Sequence, residues 1–528
     1  MLPPVSALGS VVDRHDRWCA ALVLALMACN LFLGLATSNV NDYDEARYGV
    51  TAFEMQQHHT FVLDTYAGQR EVWALKPPLG YWLMALSFAL FGGSALAMRL
   101  PSALCALAAV AVTMGAARRW FDRRLAILAG AILATTFGFL SNHGARSGDF
   151  DAGLTLILLL IAVQLPGIAE SSWRVVPVAL LFGCGFLLKS FAIAPMVLVA
   201  GSYLVWTGSW RRLRLVPSAA ALGLCALIVG AWAIARWRAD GSPDFLLRML
   251  REDVVGRSTS IVDKSTSSPL GYVTGIFDRF APWPLLMLAA AGVALSRTSH
   301  AGSSRGASNG PGPTCSPRPR RPEITRLLVL WIGIPLVFFS AVRTQHHWYL
   351  DPAYPALAMV AAGCALFLVE RTPPHRRTLA VAALVALPLA LCEARLLGRV
   401  LIREPMSADQ RFLRGLRPAA TGCREIRTTC RLLHSERFLL EVADGFDVVE
   451  PWQALPAAAG AAAPAWPAAG PAAARATPTR SPDAACLLVG KLPWRRPPAP
   501  PPDRLPTRDR LLAESAAYAL YRGTGTRP

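Results

Sequence analysis

Within seven residues, Asp42-Tyr43-Asp44-Glu45-Ala46-Arg47-Tyr48 gathers three carboxylates, two phenols and a guanidinium. A carboxylate beside an arginine at a partly dry surface can act as a general base with an anion-binding neighbour. If Asp44 opens a helix, its charge complements the N-terminal dipole. Arg47 and Tyr48, three and four positions on, then share its face. The plainer reading is a capped amphipathic helix with an ordinary ion pair, and spacing alone favours it. Lys76-Pro77-Pro78 lies in the same polar stretch, where the prolines impose an extended entry and then start a helix. Lys76 is either a phosphate ligand or a lysine that snorkels beside a bend.

Four further clusters carry chemistry-bearing residues. In Ala145-Arg146-Ser147-Gly148-Asp149-Phe150-Asp151, the two aspartates can share a divalent cation or hydrogen-bond donors. The alternative is a polar turn in which Asp151 caps the next helix. Lys189 stands between two apolar runs; a charge at membrane depth is a functional candidate by default, and snorkelling at a helix end is its competitor. The segment Arg248–Arg257, RMLREDVVGR, offers cations, Arg257 among them, to an anionic partner or forms a solvated helix. Arg343-Thr344-Gln345-His346-His347-Trp348-Tyr349 pairs two histidines with aromatic residues. They suit a phosphate better than a metal, because no third ligand is near in sequence.

The elements that position these groups are apolar runs. The chain has 528 residues, is 53% hydrophobic and carries a net charge of +19. Repeated apolar runs predict an all-α polytopic membrane protein, so the basic excess points to bilayer orientation rather than nucleic acid. Spanning helices are predicted at 18–37, 98–117, 124–140, 152–169, 174–189, 191–207, 215–235, 280–296, 326–342, 352–369 and 378–394, about 11–13 in all with uncertain ends counted. The first is read as an uncleaved anchor. Leu79–Phe91 is too short to span easily and is predicted to lie at or dip into the interface. Arginines cluster at 118–124, 211–214, 318–326 and 371–377. With the N-terminus inside, every cluster falls on the cytoplasmic side. The segments 38–97, 141–151, 237–279 and 343–351 then share the outer face with residues 396–528. Residues 1–395 are expected to form the membrane domain. The tail is expected to form a small, partly disordered α/β-like domain, with strands near Cys486–Val489 and Tyr518–Tyr521 and Ala/Pro-rich stretches at 454–482 and 493–505.

Lysine is confined to positions 76, 189, 264 and 491 in an arginine-rich chain. Cys423 and Cys430 are close enough in sequence to suggest a disulfide if the tail lies outside the cytoplasm. Gly183 and Gly185 suit close helix packing better than a nucleotide loop, and no Walker motif is present.

DEARY at 44–48, KPPLGYW at 76–82, ARSGDFD at 145–151, LLKS at 187–190 and HHWYLDPAYPAL at 346–357 resemble, in this order, motifs of the GT-C membrane glycosyltransferases. The aminoarabinose–lipid A transferase and protein O-mannosyltransferase superfamily is the nearest group. The resemblance spans about 40–365. It implies transfer of a sugar from a polyprenyl-phosphate donor to an envelope acceptor of lipid A type, on the periplasmic face of the bacterial inner membrane. It implies Asp44 as the catalytic carboxylate, with Glu45, Arg47, Tyr48, Lys76, Asp149, Asp151, Lys189, Arg257, His346, His347 and Tyr349 binding donor or substrate. It implies no certain cofactor, a divalent metal being a candidate without an assigned ligand set. The alternatives are a protein O-mannosyltransferase or another envelope-glycan transferase and, in a different class, a lipid-linked sugar transporter. One-sided polar motifs disfavour the transporter, which needs charges along a path open to both sides. The chain departs from the pattern at Leu75, where many relatives carry Glu before the KPP lysine.

Overall fold

The computed structural model describes residues 16–70, 76–141, 143–261, 268, 270–301, 322–401, 406–450, 485–490 and 511–522. Leu75 and the Ala/Pro-rich stretches lie outside these residues. All eleven predicted spanning segments are helical, because each is a continuous apolar run that satisfies its own backbone internally. Among the described residues, seven helical stretches are long and apolar enough to cross a bilayer, or eight if the bent pair Gly271–Arg279 and Trp283–Ser296 is one span.

One of the seven, Ser172–Thr207, has 36 residues. It is a hairpin rather than a single rod. Its start and end meet, since the Arg214 backbone N–H donates to Ser172 Oγ at 2.9 Å and Arg212 donates to the Ala169 carbonyl at 3.1 Å. The reversal occurs at Ser190, whose φ is 48°. Lys189 therefore stands at the tip of the hairpin.

Two helices are shorter than predicted. Asp16–Phe32 stops before Gly34, which takes φ 69°. Arg123–Ala134 ends where the hydroxyls of Thr135 and Thr136 bond back to the Ala131 and Ile132 carbonyls at 2.9 and 2.7 Å. Its companion Phe137–Leu140 passes so near Tyr354 that a Cβ on Gly138 would lie 2.0 Å from the phenol oxygen.

Among the described residues, those of the basic clusters gather at one end of the helices. Arg118 pairs with Asp16 at 2.9 Å, and Arg326 donates to the Trp206 carbonyl at 3.2 Å. At the other end lie Asp44–His58 and Leu79–Phe91. Leu79–Phe91 buries Tyr81, Met84 and Phe88 and exposes Leu83, Leu86 and Leu90, as an interfacial helix should. Between these helices is a hairpin absent from the sequence reading, Thr65–Tyr66 (β1) and Gln69–Arg70 (β2), turned by Ala67 and Gly68, both at positive φ.

The C-terminal region is mixed α/β. Its strands are β3 (Glu425–Thr428), β4 (Asp447–Val449), β5 (Ala485–Gly490), β6 (Leu511–Glu514) and β7 (Tyr518–Arg522), in the order β4-β3-β5-β7-β6. The two expected strands are β5 and β7, paired antiparallel with Leu487 opposite Tyr521. The expected Cys423–Cys430 disulfide is corrected: Cys423 bonds Cys486, with Cα atoms 5.8 Å apart. Cys423 and Cys430 flank opposite ends of β3, and an extended chain advances about 3.3 Å per residue, which carries them apart. The parallel register of β3 on β5 sets Cys486 opposite Ile426, near the end of β3 that Cys423 precedes.

Candidate active site

Three clusters around buried arginines hold the polar end together, and one of them uses a residue of the predicted site. Arg99, inside the predicted span 98–117, is 1% exposed. It forks onto Glu45 with bonds of 2.6 and 3.1 Å. Glu45 also accepts from the backbone N–H groups of Asn41 at 2.7 Å and Gly148 at 2.9 Å. Four protein donors thus occupy both its oxygens. Glu45 was expected to bind substrate; buried and saturated, it instead ties the Asp44–His58 helix to the loop that carries Asp149. In that loop Arg146 donates to the carbonyls of Asn30, Leu31 and Leu33, satisfying the C-terminal end of the first helix. The third cluster joins Arg236 to Asp64 at 3.1 Å and Asp240 at 2.6 Å.

On this brace sits the acidic end of the site. Asp44 is the first residue of its helix, and Tyr43 before it has φ 63°. Asp44, His143 and Asp149 each turn a ligand atom to within 4.8 Å of the others. His143 Nδ1 lies 3.2 Å from Asp149 Oδ2, and Ser147 Oγ donates to the same oxygen at 2.7 Å. Burial alone would lower the His143 imidazole; the charge and hydrogen bond of Asp149, with Asp44 and Asp151 beyond, reverse this and raise it to about 9. Burial works against ionising Asp149, yet His143, Ser147 and Lys189 hold it below its usual value. Among the described residues, Asp44, His143 and Asp149 form the group placed to hold a divalent cation, with the mixed nitrogen and oxygen donors such ions accept. Of the two readings of Asp149 and Asp151, the polar turn is the nearer: Asp151 opens its helix and turns to Lys189, with both oxygens 2.5 Å from Nζ, rather than sharing a partner oxygen-for-oxygen with Asp149.

Tyr48 forms the floor, stacked on Phe150 at 4.6 Å and edge-on to Tyr81 at 5.6 Å. Burial, then Asp44, Tyr81, Asp149 and Asp151, push its phenol far above the usual value and keep it neutral. Gly80 allows this stack: a Cβ there would meet the Phe150 ring at 2.5 Å. Arg47 is half-buried on the side facing Tyr66, whose phenol feels its charge.

The basic end is built from three other segments. Lys76 Nζ is 3.1 Å from both oxygens of Asp253. Asp253 also accepts from Ser190 Oγ at 2.9 Å and lies 3.6 Å from Arg257 Nε. Burial opposes its ionisation, but Lys76 and Arg257 bring it below the usual carboxylate range. Arg257 Nη1 donates to the Tyr349 hydroxyl at 2.7 Å. Trp348 closes the circuit, stacked on His143 at 3.8 Å and on His346 at 4.3 Å, with His347 edge-on at 4.7 Å. The contacts therefore run from Lys76 through Asp253, Arg257, Tyr349, Trp348 and His143 to Asp149. The Lys189–Asp151 pair adjoins this circuit at Ser190. A narrow, mostly apolar groove lined by Leu83, Met84, Met98, Cys105 and Leu188 reaches Asp149 from the side.

Helices in this arrangement are also found in solved proteins. The crystal structure of ArnT from Cupriavidus metallidurans bound to undecaprenyl phosphate superposes with a TM-score of 0.64 at 19% identity, covering 96% of this chain and 98% of that one. The apo oligosaccharyltransferase of Archaeoglobus fulgidus gives 0.51 at 11% identity, over 83% and 65%. A family model described as dolichyl-phosphate-mannose-protein mannosyltransferase matches residues 75–234. The chain has the helical fold of the GT-C membrane glycosyltransferases. Among curated relatives, undecaprenyl phosphate-alpha-4-amino-4-deoxy-L-arabinose arabinosyl transferase 1 of Pseudomonas fluorescens Pf-5 is 28% identical over 405 residues, 75% of this chain and 68% of the relative. The Pseudomonas aeruginosa UCBPP-PA14 transferase is 27% identical over 419 residues, 76% and 68%.

Of the predicted site residues, Lys76, Asp149, Arg257 and Tyr349 lie on the circuit, His346 and His347 stack on its Trp348, Asp44 faces its acidic end, Asp151 and Lys189 adjoin it at Ser190, and Glu45, Arg47 and Tyr48 lie off it. Sequence reasoning passed over Arg99, His143, Trp348 and Asp253. Arg99 had a signal, a charge inside an apolar span. Asp253 had another, standing four residues before Arg257 among cations. Trp348 stood beside the paired histidines, and His143 had no signal beyond membership of a polar segment.

Proposed function

We propose that this protein transfers a sugar from a polyprenyl-phosphate donor to a lipid A-type acceptor, at a site facing the periplasm. The observation that carries the reading is the division of one connected set of contacts into a cationic end, Lys76 and Arg257, and an acidic end, Asp44 and Asp149 with His143. The donor phosphate sits against Lys76 and Arg257, as their geometry suits a phosphate monoester or diester. The acceptor oxygen attacks the anomeric carbon from the opposite side. The bond from that carbon to the phosphate oxygen breaks, and the lipid phosphate leaves with the electron pair. The two cations stabilise the charge that develops on it. The acceptor proton passes to Asp44. Inversion at the anomeric carbon follows from the opposed ends. Tyr349 holds Arg257, and the Lys189–Asp151 pair adjoins Asp253 through Ser190.

Relatives named as undecaprenyl-phosphate aminoarabinose transferases support a pentose of that kind as the transferred group. The distribution of arginines supports the outward orientation. The match of 75–234 to a mannosyltransferase model favours a second reading, transfer of a hexose to protein. Mass spectrometry of envelope lipids and glycoproteins from a strain lacking the protein decides between them. Loss of a 4-amino-4-deoxypentose increment from lipid A is expected. Loss of a hexose from a glycoprotein selects the second reading, and no lost increment removes both.

A further inference from the structure

The two cations assigned to the donor phosphate are already engaged. Asp253 takes Lys76 with both oxygens, Arg257 with one and the Ser190 hydroxyl besides. Its carboxylate is 15% exposed, as is Lys76. A phosphate reaching Lys76 and Arg257 must take the place this carboxylate fills, since two anions on the same cations repel strongly at low dielectric. The mounting of Asp253 suits such an exchange. It stands on a π-helical turn, Leu250–Gly256, in which no residue is buried, so no apolar core resists its displacement. The surrounding side chains Leu250, Val254 and Val255 are exposed.

We propose that Asp253 is a positioning residue that stands in for the phosphate: it holds Lys76 and Arg257 in place while the chamber is empty, gives way when the lipid phosphate enters, and by returning helps expel the lipid phosphate left after transfer. This rests on the reading of Lys76 and Arg257 as the phosphate site. It assigns Asp253 an effect opposite in sign to that of a brace. A brace, when removed, disorders the cations and weakens phosphate binding. A stand-in, when neutralised, leaves the cations unopposed and strengthens it.

The test is binding of undecaprenyl phosphate, with undecaprenol as the uncharged control, to the full-length protein in lipid nanodiscs. Asp253→Asn keeps the shape and the Ser190 contact but removes the charge; Asp253→Ala serves if the first variant fails to fold, as judged by thermal melting. The expected result is a Kd for undecaprenyl phosphate roughly tenfold lower in Asp253→Asn, the scale of a typical coupling between competing ligands. Binding of undecaprenol should not change. Lys76→Ala and Arg257→Ala should each weaken phosphate binding. An Asp253 variant that is folded yet binds the phosphate equally or more weakly overturns the proposal while leaving the phosphate site intact. Failure of the unaltered protein to prefer undecaprenyl phosphate over undecaprenol overturns the phosphate site itself, and the proposal with it.

Discussion

At the scale of single residues, three neighbouring side chains in DEARY have three separate jobs. Asp44 faces His143 and Asp149, Glu45 points into the protein onto Arg99, and Tyr48 lines the chamber floor. Loss of the Asp44 charge should therefore remove chemistry without removing the fold. Asp44→Asn is expected to lower transfer by about 10²–10⁴-fold, the usual worth of a positioned acid or base. Its melting temperature in detergent should stay near that of the unaltered protein. Retained transfer in a folded Asp44→Asn protein would strike Asp44 from the mechanism. Arg99 should behave in the opposite way. Arg99→Met strands a fully buried Glu45 charge, which typically costs about 3–5 kcal/mol. Poor yield and an early melt are expected, and Glu45→Gln in the same chain should recover part of the loss. Additive damage in the double variant would contradict a coupled pair.

At the scale of elements, the Asp44–His58 helix is held from both sides. Glu45 and Arg99 fix its membrane side, while the C-terminal region grips the other. Ser435 donates its backbone N–H to Asp42 Oδ1 at 2.9 Å, and a Cβ on Gly49 would meet the Phe438 ring at 2.6 Å. Gly49→Ala should thus part the helix from the C-terminal region. Protease cleavage after Arg414 or Arg417 should become faster in that variant; unchanged cleavage would show that Phe438 yields without cost. This junction is also sensitive to pH. Burial, then the charge of Glu54, raises the Glu441 carboxyl from 4.5 to about 7, against the pull of Arg437. Burial likewise raises Asp444 to about 7. An acid whose pKa is higher in the folded state stabilises below its unfolded value and loses that contribution as pH rises through the folded one. The melting temperature should accordingly fall between about pH 4.5 and 7. Glu441→Gln should flatten that slope, and an unaltered slope would remove Glu441 as its source.

At the scale of the whole molecule, the site exists because separate outer segments meet at one end of the helices while basic loops meet at the other. Tyr43 and Arg251 are exposed near the site, and Arg119 and Arg211 are exposed among the basic loops. Single cysteines at these four positions, in a chain cleared of other reactive thiols, should label in two groups. A membrane-impermeant reagent added to intact spheroplasts should reach positions 43 and 251 and spare 119 and 211. Labelling of 43 and 211 from one side would break the topology on which the chamber depends.

Much of this was legible in the chain itself. Apolar runs of bilayer length can only become helices in lipid, because nothing else satisfies the backbone there, so all eleven segments emerged helical. Arginine placement assigned the ends, since charge at a membrane surface is governed by composition more than by packing. Those two facts put Asp44, Lys76, Asp149, Lys189, Arg257 and Tyr349 on a common face. Only tertiary structure decided which of them touch. Asp151 chose Lys189 over Asp149, Cys423 chose Cys486 over Cys430, and Glu45 turned inward to Arg99. Each choice depends on distances between segments far apart in the chain, which neither periodicity nor spacing encodes. Asp253 shows this most fully: it is one acid in a solvated-looking basic run, and only the approach of Lys76 from 177 positions away gives it a place in the site.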